Sequence, residues 1–265
     1  MTLIDTHCHL DAAEFDADRD TVATLAHAAG VQTIVVPAVQ YANFNAVLAV
    51  SQRYPGCVPA LGLHPMYIDA HLPEHLVLLR AAIERQRPVA IGEIGLDFFV
   101  PNLDVATQEY YFTEQLKIAR DFDLPVLLHS RRANDQVLKQ LRSFSIQRGI
   151  AHAFSGSLQQ AEAFIRQGFK LGFGGAMTYT RASKLRRLAA ELPLGAIVLE
   201  TDAPDMPPAW IQHQRNSSEQ LPAIAAVLAE LRGIGLDKIA QITSANACLA
   251  IPALTSLGAP PAISI

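Results

Sequence analysis

The chain has 265 residues, of which half are hydrophobic and 17% are charged. That balance excludes a disordered chain and is enough for one large domain with a substantial core. Lys+Arg 21 against Asp+Glu 25 leaves a net charge of −4, which excludes a protein that coats nucleic-acid backbone by overall charge; any phosphate recognition must be local.

The three cysteines, Cys8, Cys57 and Cys248, form neither a close-spaced metal knuckle nor an even disulfide set. A reducing cytosol fits them best. The opening MTLIDTHCHL carries no basic stretch ahead of a long apolar run, so no signal peptide is expected. No apolar run is long enough for a transmembrane helix, and the expected location is cytoplasmic.

Eight short β-rich apolar runs follow in chain order, at residues 3–9, 32–39, 58–64, 89–96, 125–129, 150–154, 169–173 and 196–201. Segments with helical apolar spacing lie between and after them, at 18–29, 43–53, 74–85, 105–121, 133–142, 158–167, 183–191 and 221–231. Gly30, Gly149, Gly168 and Gly195 stand just before strands, where a glycine ending a helix belongs. The alternation predicts an α/β fold, a parallel (β/α)8 TIM barrel over residues 1–251, with 252–265 as a loosely packed Pro/Ala-rich tail. An open doubly wound sheet is the other fold with this alternation, but no GxGxxG follows the first strand.

Metal-binding residue types recur where these strands end. Strand one ends on His7-Cys8-His9, strand three on His64-Pro65, and strand four carries Glu93 between glycines. Strand five ends on His129-Ser130-Arg131, strand six on His152 with Ser155 beyond it, and strand eight on Glu200-Thr201-Asp202. In a parallel barrel these ends converge on one face. His7 and His9 point to one side of a period-two strand, which turns Cys8 toward the helices as a small apolar residue. Each residue has a bland alternative: Glu93 as partner of a helix arginine, His129 and His152 as core histidines, His64 as a turn residue before Pro65. Four histidines and two carboxylates exceed what one zinc needs, and two divalent cations bridged by Glu93 use the set better. The ligand mix suits zinc, manganese, iron or cobalt, with magnesium still open.

The pieces Ile4-Asp5-Thr6-His7-Cys8-His9-Leu10, Gly62-Leu63-His64-Pro65, Gly92-Glu93-Ile94-Gly95-Leu96-Asp97, His129-Ser130-Arg131, His152-Ala153-Phe154-Ser155-Gly156 and Glu200-Thr201-Asp202-Ala203-Pro204 resemble the TatD family of metal-dependent hydrolases. With Gln108, Gln115 and Asn246 they span nearly the whole chain. The resemblance implies an amidohydrolase-like TIM barrel and deoxyribonuclease activity of the 3'-5' exonuclease kind. It implies one cation held by His7, His9, Glu93 and Asp202, and a second held by Glu93, His129 and His152. Asp202 is then the general base, with His64, Arg131 and Ser155 meeting substrate phosphate. DNA, as single-stranded ends or a nucleotide-like phosphodiester, is the expected partner, with no membrane and no obligate protein partner. Two departures, at Asp205 and at Arg215-Asn216-Ser217-Ser218, fall in the loop after strand eight and bear on substrate choice.

The alternative activity is hydrolysis of C–N or lactone bonds in a small molecule, as in the wider amidohydrolase group. Many of those enzymes bridge their cations with a carboxylated lysine at the end of strand four, and strand four here has Glu93 and no lysine. Lys184, Arg186 and Arg187 read either as a phosphate-steering cluster or as a solvated helix face. Trp210 reads as a base-stacking residue or a buried loop anchor.

Overall fold

The structure, a computed structural model, describes residues 1–257. Eight parallel strands run in sequence order, β1 (Leu3–Asp5), β2 (Val31–Pro37), β3 (Cys57–Leu61), β4 (Ala90–Asp97), β5 (Val126–Arg131), β6 (Gly149–Ala151), β7 (Phe169–Phe173) and β8 (Ile197–Leu199). The sheet closes past the formal strand ends. Thr6 N donates to Leu199 O, Asp202 N to His7 O and His9 N to Ala203 O, at 3.1, 2.9 and 2.7 Å. This closure excludes the doubly wound sheet. It also brings His7-x-His9 and Asp202, about 195 positions apart in sequence, to one seam.

The helices α1 (Arg19–Ala28), α2 (Phe44–Arg53), α3 (Pro73–Gln86), α4 (Val105–Asp121), α5 (Asn134–Ser143), α6 (Leu158–Arg166), α7 (Ser183–Glu191) and α8 (Leu221–Arg232) fall where the apolar spacing places them. They cover the outward apolar side chains of the strands. A ninth helix, α9 (Leu236–Ala250), escapes the periodicity because polar Thr243, Ser244 and Asn246 interrupt the apolar residues of its buried face. Its last turn enters the bottom of the barrel. There Ala247, Cys248 and Ala250 pack against the inward residues Ile4, Val35, Val58, Ala60, Ala90, Leu127, Ile150 and Val198.

The expected loose tail is corrected in its first part. Residues Pro252–Leu257 form a 3-10 helix, and Leu254 is fully buried in the same plug. The remainder, 258–265, lies outside the described residues. Gly195 is also no helix cap: it sits in a 3-10 turn (Leu194–Ala196), whereas Gly233, left-handed at φ 61°, ends α8. Among the described residues no helix is long and apolar enough to cross a membrane.

Strand phase decides which side chains face the barrel axis. On β5, β6 and β8 the period of two holds, so inward Leu127, Ile150 and Val198 are followed two residues on by His129, His152 and Glu200. On β1 and β4 it breaks. A bend at Thr6 shifts the phase between inward Ile4 and His7, and an irregularity between Ile91 and Ile94 shifts it between inward Ala90 and Glu93. The reading of 3–9 as one continuous strand is therefore corrected: the strand ends at Asp5, and the His7-x-His9 alternation belongs to the extended segment after the bend.

Candidate metal centre

Glu93 stands at the centre of the C-terminal face, 2% exposed and surrounded by five imidazoles. Its Oε2 lies 3.0 Å from His7 Nε2 and 3.6 Å from His9 Nε2. Its Oε1 lies 3.1 Å from His64 Nε2, 3.1 Å from His129 Nδ1 and 2.8 Å from His152 Nε2. Asp202 Oδ1 joins the first set, 3.7 Å from His7 Nε2 and 3.8 Å from His9 Nε2. The six side chains expected as ligands thus converge, and His64 converges with them.

The spacing fits a cation. Two ligands about 2.1 Å from one zinc-sized ion, at the tetrahedral angle, lie about 3.4 Å apart, and the contacts of Glu93 and Asp202 with His7 and His9 run from 3.0 to 3.8 Å. Three sets each bring one ligand atom per residue within 4.8 Å of the others: His7, His9 and Asp202; His7, Glu93 and His152; and His64, Glu93 and His129. Burial and the stacked His152 ring, 3.9 Å away, push His7 down to about 3, so this imidazole is neutral at pH 7. The Nδ1 atoms of His7 and His152 are buried without a hydrogen-bond partner. Burial would raise the Glu93 carboxyl, but His152, His64 and His7 outweigh it and hold the group well below the usual range. Burial pushes Asp202 up to about 6.

A second layer of side chains orients these groups. His129 Nε2 donates to Asp97 Oδ2 at 2.9 Å, which leaves Nδ1 bare toward Glu93. Gln108 holds the backbone of Asp97 in both directions, donating to its carbonyl at 2.9 Å and accepting from its N–H at 2.7 Å. Gln115 does the same for Leu63, next to His64. His64 Nδ1 accepts from Met66 N at 3.1 Å, so its Nε2 carries the proton and donates to Glu93. The turn role and the polar role of His64 are therefore one arrangement. Asp5 accepts from Thr201 N, Thr201 Oγ1 and Ser218 Oγ, tying the start of β1 to the segment that carries Asp202. Asp202 itself is left-handed at φ 57°, as is Ala153 at φ 42° after His152, a backbone state that non-glycine residues adopt only under constraint.

Asp97 and Asp5 were not singled out in the sequence. The available signal was an aspartate closing an apolar run in each case, after Leu3-Ile4 and after Ile94-Gly95-Leu96, and each needs a buried partner. Glu200, open as a supporting or structural residue, accepts from Ala153 N and lies 3.7 Å from His152 Nδ1.

Arg131 and Ser155 line a groove beside the centre rather than the cluster itself. The basic trio divides: Lys184 lines that groove, Arg186 donates to Met177 O, and Arg187 stands 4.0 Å from Glu191. Trp210 is 46% exposed with its indole N–H on Gln220, so it is no buried anchor. In the departing loop Arg215 forms a two-pronged ion pair with Asp18, and buried Asn216 donates to the carbonyls of Thr201 and Asp205.

A family model described as TatD related DNase matches residues 4–251. The chain belongs to the TatD family. The Escherichia coli relative of this family described as the uncharacterized metal-dependent hydrolase YjjV is 47% identical over 241 residues, 90% of this chain and 93% of that protein. The 3'-5' ssDNA/RNA exonuclease TatD of Cronobacter sakazakii is 33% identical over 252 residues, 92% of this chain and 96% of that protein. The crystal structure of the Escherichia coli TatD homologue YjjV superposes with a TM-score of 0.91 at 45% identity, covering 94% of this chain and 98% of that one. Like other members of the family, the chain is a metal-dependent hydrolase acting on ester bonds.

Proposed function

We propose that this chain is a deoxyribonuclease that cleaves phosphodiester bonds at single-stranded ends with two divalent cations. One observation carries the reading: the two oxygens of Glu93 face two separate groups of imidazoles. A carboxylate so placed suits a bridge between two ions. His7, His9 and Asp202 would hold one with Glu93, and His129 and His152 the other. Bound divalent cations supply a water of lowered pKa and polarisation of a phosphoryl oxygen.

The chain's own groups then divide the work. Asp202, raised toward neutrality by burial and 15% exposed at the mouth, accepts the proton of the attacking water. His64 would turn toward developing phosphate charge the Nε2–H that donates to Glu93 in this structure, once Glu93 holds cations. Arg131 and Ser155, along the adjoining groove, meet phosphate oxygens. The names of relatives, a deoxyribonuclease in human and a single-strand exonuclease in Cronobacter, support the substrate class.

The test combines metal analysis of the purified protein with cleavage of an end-labelled single strand in manganese or zinc. Duplex DNA, RNA, amides and lactones are run beside it. Glu93→Ala and Asp202→Asn are expected to fold and to lose about a hundredfold or more in rate. Unchanged cleavage by either variant, or turnover of amides or lactones in place of phosphodiesters, overturns the proposal.

A further inference from the structure

A groove of about 660 Å³ opens beside the metal centre, past the ends of β4, β5 and β6. Three of its lining residues, Arg131, Arg132 and Lys184, are cations that carry no ion pair and no side-chain hydrogen bond among the described residues. Elsewhere arginines are mostly engaged. Arg19, Arg53, Arg80 and Arg215 each meet an aspartate, and Arg186 and Arg232 meet backbone carbonyls. One acid, Asp135, also lines the groove, its carboxylate accepting from Gln160.

Two of the cations are held in place. The Arg131 guanidinium lies 3.7 Å from the centre of the Phe99 ring, and that of Arg132 lies 4.7 Å from it. Phe99 is 43% exposed, so its ring and the guanidinium groups on it are open to a ligand. Arg132 sits in the left-handed region at φ 56°. A guanidinium stacked on a ring has already lost much of its rotamer freedom, so less is lost on binding an anion.

We propose that the groove is a subsite for the sugar–phosphate backbone of the single strand flanking the scissile bond. Arg132 and Lys184 take phosphate oxygens, and Phe99 is a positioning residue that holds the guanidinium groups. This rests on the nuclease reading and adds where the strand runs.

The test uses the metal-loaded protein and a fluorescein-labelled phosphorothioate oligothymidylate that resists hydrolysis, with binding followed by anisotropy across a salt series. In Arg132→Ala/Lys184→Ala the slope of log K against log salt is expected to shrink by about 1.4, about 0.7 for each lost single-strand phosphate contact. Affinity should fall about tenfold or more at low salt. Phe99→Ala should weaken binding and Phe99→Tyr restore it. Manganese-dependent hydrolysis of bis(p-nitrophenyl) phosphate, which has no neighbouring nucleotide, should be unchanged in Arg132→Ala/Lys184→Ala. An unchanged salt slope in the double variant, or a wild type that does not bind the oligonucleotide, overturns the proposal. A wild type that binds the strand but leaves bis(p-nitrophenyl) phosphate intact overturns the phosphodiesterase reading instead, because the groove is read from binding alone.

Discussion

Asp97 on β4 and His129 on β5 face each other across neighbouring strands, the Asp97 carboxylate accepting from His129 Nε2 at 2.9 Å. Burial alone would raise Asp97, but His129 and the backbone N–H groups of Val100 and Phe99 hold it at about 2. It is thus an anion at neutral pH. Its hydrogen bond selects the His129 tautomer whose Nδ1 faces Glu93 without a proton.

Asp97→Asn keeps the shape and removes the charge. Loss of such a supporting carboxylate typically weakens metal binding by about 10–100-fold. A chelator competition on the purified variant should show that loss, with the circular dichroism spectrum unaltered. Wild-type affinity in the variant would remove Asp97 from the account.

Gly172 on β7 makes room for Glu200. A Cβ at this position would fall 2.1 Å from Glu200 Oε2 and 2.5 Å from its carboxyl carbon. Gly172→Ala must therefore displace Glu200, which holds the N–H of Ala153 just after His152. Overpacking of this kind costs about 1–3 kcal/mol, and chemical denaturation should record it. Activity should fall further than stability, because the loop after β6 loses its anchor.

Leu254 closes the bottom of the barrel beside Ile251 and the end of α9. Leu254→Ala should lose about 2–5 kcal/mol of unfolding free energy. The residue lies at the opposite end of the barrel from Glu93, so turnover of the folded fraction should stay at the wild-type value. A loss below about 0.5 kcal/mol would mean that this segment does not pack.

The thiols offer a pH test. Burial pushes Cys57 up to about 12, and Cys8 and Cys248 also lie above the ordinary thiol range. The thiolate is the reactive form, and at pH 8 a thiol of pKa about 12 is ionised in only about one molecule in ten thousand. Native protein should be nearly inert to a disulfide reagent, and three equivalents should react once it is denatured. Rapid reaction of even one thiol in native protein would contradict the packing.

The amino-acid order by itself determined the alternation of strand and helix, since periods of two and 3.6 are local properties of the chain. It also marked His7, His9, Glu93, His129, His152 and Asp202, because histidines and carboxylates at the ends of apolar strands are anomalous one by one. Helix α9 and buried Leu254 escaped, since polar Thr243, Ser244 and Asn246 share the buried face of α9 and Leu254 sits alone in a short 3-10 turn. Only the tertiary structure decided the phase shifts at Thr6 and before Glu93, the entry of His64 into the cluster, and the supporting places of Asp97, Asp5 and Glu200. Those depend on which strand lies beside which and on how the first strand meets the last, contacts between residues as far as 213 positions apart that no local pattern encodes.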